Sequence, residues 1–438
     1  MRSSFHLPAI TRFATFCTTV FLLMLANSCE DKCKVEQSYN YYEPVYTTTA
    51  EIRAAVKTIT PQEINEPGKI YIKDNWLFLN EVGKGIHVID NSTPASPVEK
   101  TFINIPGNYD LSVKGNILYA DSYIDLLAID ISDVQNIKVV KRLEGIFSRY
   151  NSLGFAPDAE KGIVTEWALK DKVKIDDSGC RTLAYQQWGG VYYDRGIALM
   201  ASSSFSSKAA VAPNNAAGKG GSMSRFTIEG DHLYLLDNGN LQAVDIKVAS
   251  EPKALTKAYI NWDIETVFPY NGNLFLGSQS GMYIFSLSDP ANPKQLSLYS
   301  HVRQCDPVVV EGDLAYVTLR SGTACQGFSN QLEVIDVKDL KNPVLLKTYQ
   351  MTNPHGLGID NKTLFICDGD DGLKVFDASD YQTISANQLA HYKNINTYDV
   401  IPYNNVAIMT GKDGIYQFDY SDVKNIKLIS TLQIIRKQ

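Results

Sequence analysis

Seven short segments of this chain share one pattern, five mostly apolar residues ending in Asp, once in Ser. They are Ile86-His87-Val88-Ile89-Asp90 and the segments at 126–130, 241–245, 282–286, 332–336, 373–377 and 415–419. Their last positions are spaced 40, 115, 41, 50, 41 and 42 residues apart. A unit of about 41 residues fits every interval if the second holds an insertion of about 74 residues and the fourth one of about 9. Within one unit, four short apolar or alternating runs at 110–114, 116–121, 126–131 and 138–143 are separated by turn residues. Four strands in a period near 40 is the arithmetic of a propeller blade. A lone twisted sheet cannot bury both faces, whereas seven in a ring can. The expected fold is therefore all-β, a seven-bladed β-propeller with four-stranded blades and one long top-face insertion at 147–222.

Five of the pentapeptides are followed by turn clusters such as Ser288-Asp289-Pro290-Ala291-Asn292-Pro293 and Lys338-Asp339-Leu340-Lys341-Asn342-Pro343. Asp and Asn bond the backbone two residues on and Pro presets the turn dihedral, so the chain reverses there. The Gly-His and Trp-Asp landmarks of WD40 repeats are absent. The strands instead resemble the LVIVD repeat family of bacterial surface proteins. Leu332-Glu333-Val334-Ile335-Asp336 is close to the eponymous pentapeptide, and the Asp-Pro-x-Asn-Pro turn at 289–293 belongs to it. The resemblance covers about residues 68–434 and implies a propeller on the outer surface; it implies little about chemistry.

The first 28 residues read as an export signal outside the fold. Arg2 and Arg12 form a basic start, and residues 14–26 are apolar, broken only by Thr. That run is too short for a stable membrane anchor. Leu25-Ala26-Asn27-Ser28-Cys29 resembles a bacterial lipobox, which implies lipidation of Cys29 and a membrane held through that lipid. Ala26 stands where Leu is commonest and Asn27 is an atypical neighbour, so a conventional cleavage nearby is the other reading. Glu30 and Asp31 after the Cys look like the acidic export signal of surface lipoproteins in Bacteroidetes-type bacteria. Residues 29–67 read as a tether; if flexible, such a length spans roughly 35 Å. The whole chain carries a formal charge of −7, and without Arg2 and Arg12 it has 39 basic against 48 acidic residues, or −9. That balance argues against nucleic acid, whose phosphates need a basic face.

Both large insertions fall on the face where inner strands begin. The first is expected to hold a strand pair (162–167 with 172–175) and then a mobile stretch at 201–224, nearly all Ala, Ser, Gly, Asn and Lys. The second lies at 321–330. Cys305 begins blade five and Cys325 sits in its long loop, so both reach the same face, where export permits a disulfide. Cys367 follows an apolar run and reads as a buried thiol; spacing leaves Cys33 and Cys180 open, paired or free.

Aligning the blades puts Lys69, Asp110, Arg225, Glu265, Asp306, His355 and Asp399 at or next to the start of each inner strand, ringing the channel mouth. Four carboxylates and a His can hold a hard cation, Ca²⁺ above all. The competing reading is that mouths of wet channels are simply polar, and no metal motif of fixed local spacing stands against it. Asp368, Asp370 and Asp371 also fall on this face, as a cation loop or as a tight Asp-Gly hairpin without the EF-hand frame. His355 is either a general base or an imidazole fixed by its Pro-containing turn. Arg320 can take an anionic group or be a solvated or salt-bridged Arg, and Trp188 can stack on a sugar or pack its insertion onto the ring. Catalytic signatures fail: Gly277-Ser278-Gln279-Ser280-Gly281 has Gln at the nucleophile position, and Ala217-Gly218-Lys219-Gly220 lacks the rest of a phosphate loop. H-E-x-x-H and C-x-x-C are absent. The reading is a lipid-anchored outer-membrane, cell-surface binding or scaffold propeller without cofactor, whose partner is a surface protein or glycan. A channel-metal hydrolase or lyase, or a subunit of an outer-membrane assembly, are the alternatives.

Overall fold

The computed structural model describes residues 35–147, 157–158, 160–177, 206–207, 217–301, 307–321 and 329–435. The chain divides into two compact units, residues 1–45 with 166–192, and residues 46–165 with 193–438. In chain order, β1 (Val35–Thr47) is followed by helix α1 (Thr49–Ala54) and β2 (Lys57–Ile59). Blade one is β3 (Pro67–Lys73), β4 (Trp76–Glu81), β5 (Gly85–Asp90) and β6 (Val98–Asn104). Blade two is β7 (Leu111–Lys114), β8 (Ile117–Ser122), β9 (Asp125–Asp130) and β10 (Lys138–Leu143). The connection to blade three carries β11 (Ile163–Asp177), β12 (Ser206–Ser207) and β13 (Lys219–Ser222). Blades three to seven span residues 226–259, 264–300, 308–350, 357–392 and 397–433, each a four-stranded antiparallel sheet. The larger unit is thus the expected seven-bladed β-propeller.

Each pentapeptide is the third strand of its blade, and its apolar residues are buried because neighbouring blades cover both faces of the sheet. Its terminal Asp has a local task. The Oδ1 of Asp90, Asp130, Asp245, Asp336, Asp377 and Asp419 accepts the N–H two residues on, at 2.8–3.0 Å. In blade four Ser286 Oγ accepts from Ser288 in the same way, at 3.1 Å. This side-chain-to-backbone bond turns the chain out of the third strand and substitutes for a ladder bond that ends there. The hydrogen bonds from Ser92, Ser132, Ser379 and Ser421 hold the carboxyls of Asp90, Asp130, Asp377 and Asp419 below their ordinary range.

Two expectations need correction. Residues 29–67 are not a simple tether, because from Thr48 onward the segment folds onto blade one. Thr48 and Glu51 form a capping box, with Glu51 N donating to Thr48 Oγ1 (3.2 Å) and Thr48 N donating to Glu51 Oε2 (3.0 Å). Ile52 on the helix that follows is buried, and β2 pairs with β6, extending the blade outward by a strand. The strand pair expected within 162–175 is instead one continuous strand, β11, whose partner is β1. The alternation of 163–177 satisfied a strand signal, but nothing local identified a partner more than a hundred residues upstream.

Ring closure is the least conventional part of the fold. Blade one and blade seven are each built from contiguous chain, so no strand is exchanged between the ends of the ring. Inner strands neighbour one another in order from blade one to blade seven, and β13 neighbours both the seventh and the first. It pairs antiparallel with β3, Lys219 opposite Ile72 and Gly220 opposite Tyr71. The arm therefore climbs the channel from the face where inner strands end to the face where they begin. Outside this layer the seam is sealed by Leu77, Leu79 and Ile89 against Ile401, Ile408 and Ile415, each fully buried and worth about 2 kcal/mol. A reciprocal amide pair joins Asn91 and Gln417 at 2.9 and 2.7 Å.

Candidate site at the channel mouth

The arm 217–224 passes through the place where an open, wet channel was expected. Small residues make this possible. A Cβ on Gly218 would lie 2.3 Å from Tyr71 Cε1 and 2.4 Å from Ile72 O, so only glycine fits against β3. Tyr71 OH donates to Gly218 O (3.0 Å), Gly218 N to Val113 O (2.9 Å), and Lys219 Nζ to Pro402 O. The arm is thus bonded to blades one, two and seven at once. The stretch 201–224, expected to be mobile, is corrected for its last eight residues: the same Gly and Ser content that reads as linker is what a narrow channel admits.

Three of the predicted mouth residues hold this arm. Asp110, just before β7, accepts from Ser224 Oγ at 2.9 and 3.1 Å and from Arg225 N at 2.6 Å. Asp399, in the inner strand Thr397–Tyr403, accepts on Oδ1 from Ser222 N (3.1 Å) and Ser222 Oγ (2.8 Å). Ser222 Oγ in turn accepts from Leu357 N at 2.8 Å. Lys69 Nζ donates to Met223 O (2.7 Å) and lies 3.6 Å from Asp110. All three are almost wholly enclosed. Burial pushes Asp399 up to about 7, partly opposed by the Ser222 bonds and Lys69; burial pushes Lys69 down to about 8, opposed by Asp110. Gly356 completes the packing, since a Cβ there would sit 2.0 Å from Asp399 Oδ1.

Of the other predicted residues, Arg225, Glu265, Arg320 and His355 are only half-buried. Glu265, in the inner strand Ile264–Tyr270, accepts from Gln279 Nε2 at 2.8 Å; burial raises its carboxyl although Arg225 and Arg320 pull the other way. Arg320 follows the strand Leu314–Leu319 and donates from Nη1 to the His355 ring, 3.1 Å from Nδ1 and 3.3 Å from Nε2. Burial and then the Arg320 charge push His355 down to about 3, so the imidazole stays neutral. A guanidinium held that close opposes a metal cation on the same ring. The fixed-imidazole reading of His355 therefore describes its surroundings, which include Tyr398 edge-on at 5.7 Å.

Asp368 and Asp371 belong to a tight turn, and the cation they face is Lys374, at 2.5 and 2.6 Å. Asp368 is fully buried and also accepts from Thr352 N and Asn353 N; Asp370 accepts from Asn396. A lysine ammonium thus fills the position a cation loop would leave for a metal. Among the described residues no group of three or more His, Cys, Asp or Glu is placed to hold a metal. Cys367 is a buried free thiol. Cys29, Asp306, Trp188, the Cys305–Cys325 pair, Cys33 and Cys180 lie outside the described residues. The ring of mouth residues is readable from the repeat, whereas Ser222 and Ser224, which occupy it, carry no repeat signal.

The family model of the LVIVD repeat matches residues 68–104, which is blade one with its inner strand almost complete. No curated protein matches the chain. Among solved structures it is similar to a computationally designed protein, Ika8, at 9% identity over 87% of this chain and 92% of that one, with a TM-score of 0.51. It is also similar to Hsv2 of Kluyveromyces lactis, at 10% identity over 84% and 100% of the two chains, TM-score 0.48. AztD from Citrobacter koseri matches at 14% identity over 50% and 62%, TM-score 0.37. At such identities a likeness concerns fold alone.

Proposed function

We propose that this LVIVD-repeat propeller is an exported, lipid-anchored, non-catalytic binding or scaffold protein that works through its loop-rich face. Residues 1–28 are its signal, Cys29 carries the lipid, and the outer membrane holds it with the ring at the cell surface. The basic start, short apolar run and lipobox-like ending support the address. Among the described residues no helix is long and apolar enough to cross a membrane.

The observation that carries the binding reading is the filled channel. Asp110 and Asp399, two carboxylates of the alternative channel-metal hydrolase or lyase, are engaged by Ser224, Arg225 N and Ser222. Among the described residues the accessible mouth offers two guanidiniums, one carboxyl and a neutral imidazole, a set suited to hydrogen-bonded recognition rather than to a hard cation. The partner is a surface protein or a glycan. Cross-linking intact cells with a membrane-impermeant reagent and recovering the full-length chain tests location and partner together. The reading expects one stoichiometric partner, weakened by Arg320→Ala, and release of the chain from the membrane by Cys29→Ala. Recovery without partner, together with a stoichiometric metal in the purified chain, would favour the enzyme instead.

A further inference from the structure

The seven blades offer an internal control at each position, and one position departs from it. The residue opening the second strand, opposite the last residue of the first, is Ile117, His232, Asn273, Leu314, Thr363 or Val406 in blades two to seven. In blade one it is Trp76, opposite Lys73. A large indole at the end of a turn has to earn its exposure, because the same turn folds with Thr or Val elsewhere.

Trp76 lines a cavity of about 390 Å³ at the seam of blades one and two, on the face opposite the insertion's root. That volume falls within the range of small-molecule sites. Three turns enclose it: Lys73 to Trp76, Gly115 with Asn116, and Ile131 to Val134, with Phe78 behind. The indole packs on the apolar cluster of this seam, as Val134 does, and its remaining surface faces the cavity. The side-chain amides of Asn75 and Asn116 are exposed and make no hydrogen bond among the described residues. Both turns are nevertheless rigid, because Asn91 N donates to Asn75 O (2.7 Å) and Ile131 N to Asn116 O (2.9 Å). Lys73 is ion-paired with Asp74, and Asp133 adds a further carboxylate at the rim.

From this we infer a second binding site that takes one neutral sugar ring of a glycan. An anion is disfavoured, since two carboxylates stand against one lysine that is already paired. An apolar ligand would leave the two amides without partners, while the Asp133 carboxylate accepts from Gln135 N at 3.0 Å on Oδ1. A pyranose answers both needs, laying its C–H face on the indole and offering hydroxyls to Asn75, Asn116 and Asp133. Preformed turns spare the ligand the cost of ordering them. The site is independent of the top-face reading, since it shares no residue with the channel mouth.

The test is saturation-transfer NMR on the purified chain with methyl glycosides of glucose, galactose, mannose and N-acetylglucosamine as probes. At least one should show saturable transfer. Trp76→Ala should weaken it by roughly tenfold or more and Trp76→Phe by less, consistent with loss of an aromatic platform. Asn116→Ala, in an exposed turn where folding is not at stake, should weaken it several-fold, and Arg320→Ala at the opposite face should leave it unchanged. No transfer from any of the four glycosides, or transfer equal in the wild type and Asn116→Ala, would overturn the proposal.

Discussion

The channel mouth has two arcs that sequence position treats alike and the structure treats differently. In the arc of blades seven, one and two, Asp399, Lys69 and Asp110 are enclosed and bonded to the arm 217–224. In the arc of blades three to six, Arg225, Glu265, Arg320 and His355 remain half-buried. All but Arg320, which follows the second strand of blade five, occupy the same register at the head of an inner strand. Register thus decides where a side chain points, and whatever passes over it decides whether it is structural or available. The enclosed arc is also where the ring has no covalent continuity, so the polar groups sit where a clasp is needed.

The largest expected contrast between the arcs is in pH dependence. Asp399 has its pKa raised from 3.8 to about 7, so the folded state holds that proton more tightly than the unfolded chain. Its stabilising effect is full below pH 4 and is lost as pH rises through 7, an amount of roughly 4 kcal/mol at most. Asp399→Asn should therefore flatten the wild-type loss of stability between pH 4 and 7, as read by chemical denaturation at each pH. An unchanged profile would remove Asp399 from the buried arc. Next comes Gly218→Val, whose side chain must displace Tyr71 or the β3 backbone. It should destabilise by about 3 kcal/mol, seen as a lower melting temperature, because the channel cannot widen without separating blades one and seven. A melting curve indistinguishable from wild type would mean the arm is not confined there. The smallest effect belongs to the open arc: Arg320→Ala should change stability by about 1 kcal/mol or less while lowering partner recovery from cells.

The ring itself was legible because its signal is repeated. Each pentapeptide carries two physical constraints, apolar residues for a sheet covered on both faces and an Asp that turns the chain, and seven copies agree. The mouth residues were legible for the same reason, since a blade alignment carries position from one unit to the next. The arm was not. Gly218, Gly220, Gly221 and Ser222 have no periodicity, and a segment chosen for thinness resembles one chosen for flexibility. The fold of residues 48–64 left only a weak trace in the Thr48…Glu51 capping box, because a single turn-and-a-half of helix carries little hydrophobic pattern. Roles at the mouth were illegible in principle, since Asp110 and Asp399 look like metal ligands until Ser224 and Ser222 are seen beside them.

Hydrogen–deuterium exchange of the peptide covering residues 217–224 tests the filled channel most directly. Gly218 N donates to Val113 O, Ser222 N donates to Asp399, and β13 is paired with β3, so these amides should exchange as slowly as those of the inner strands. Complete exchange within seconds, at the rate of an unstructured Gly- and Ser-rich loop, would contradict the account: the channel would then be open, and Asp110 and Asp399 would be free to bind something else.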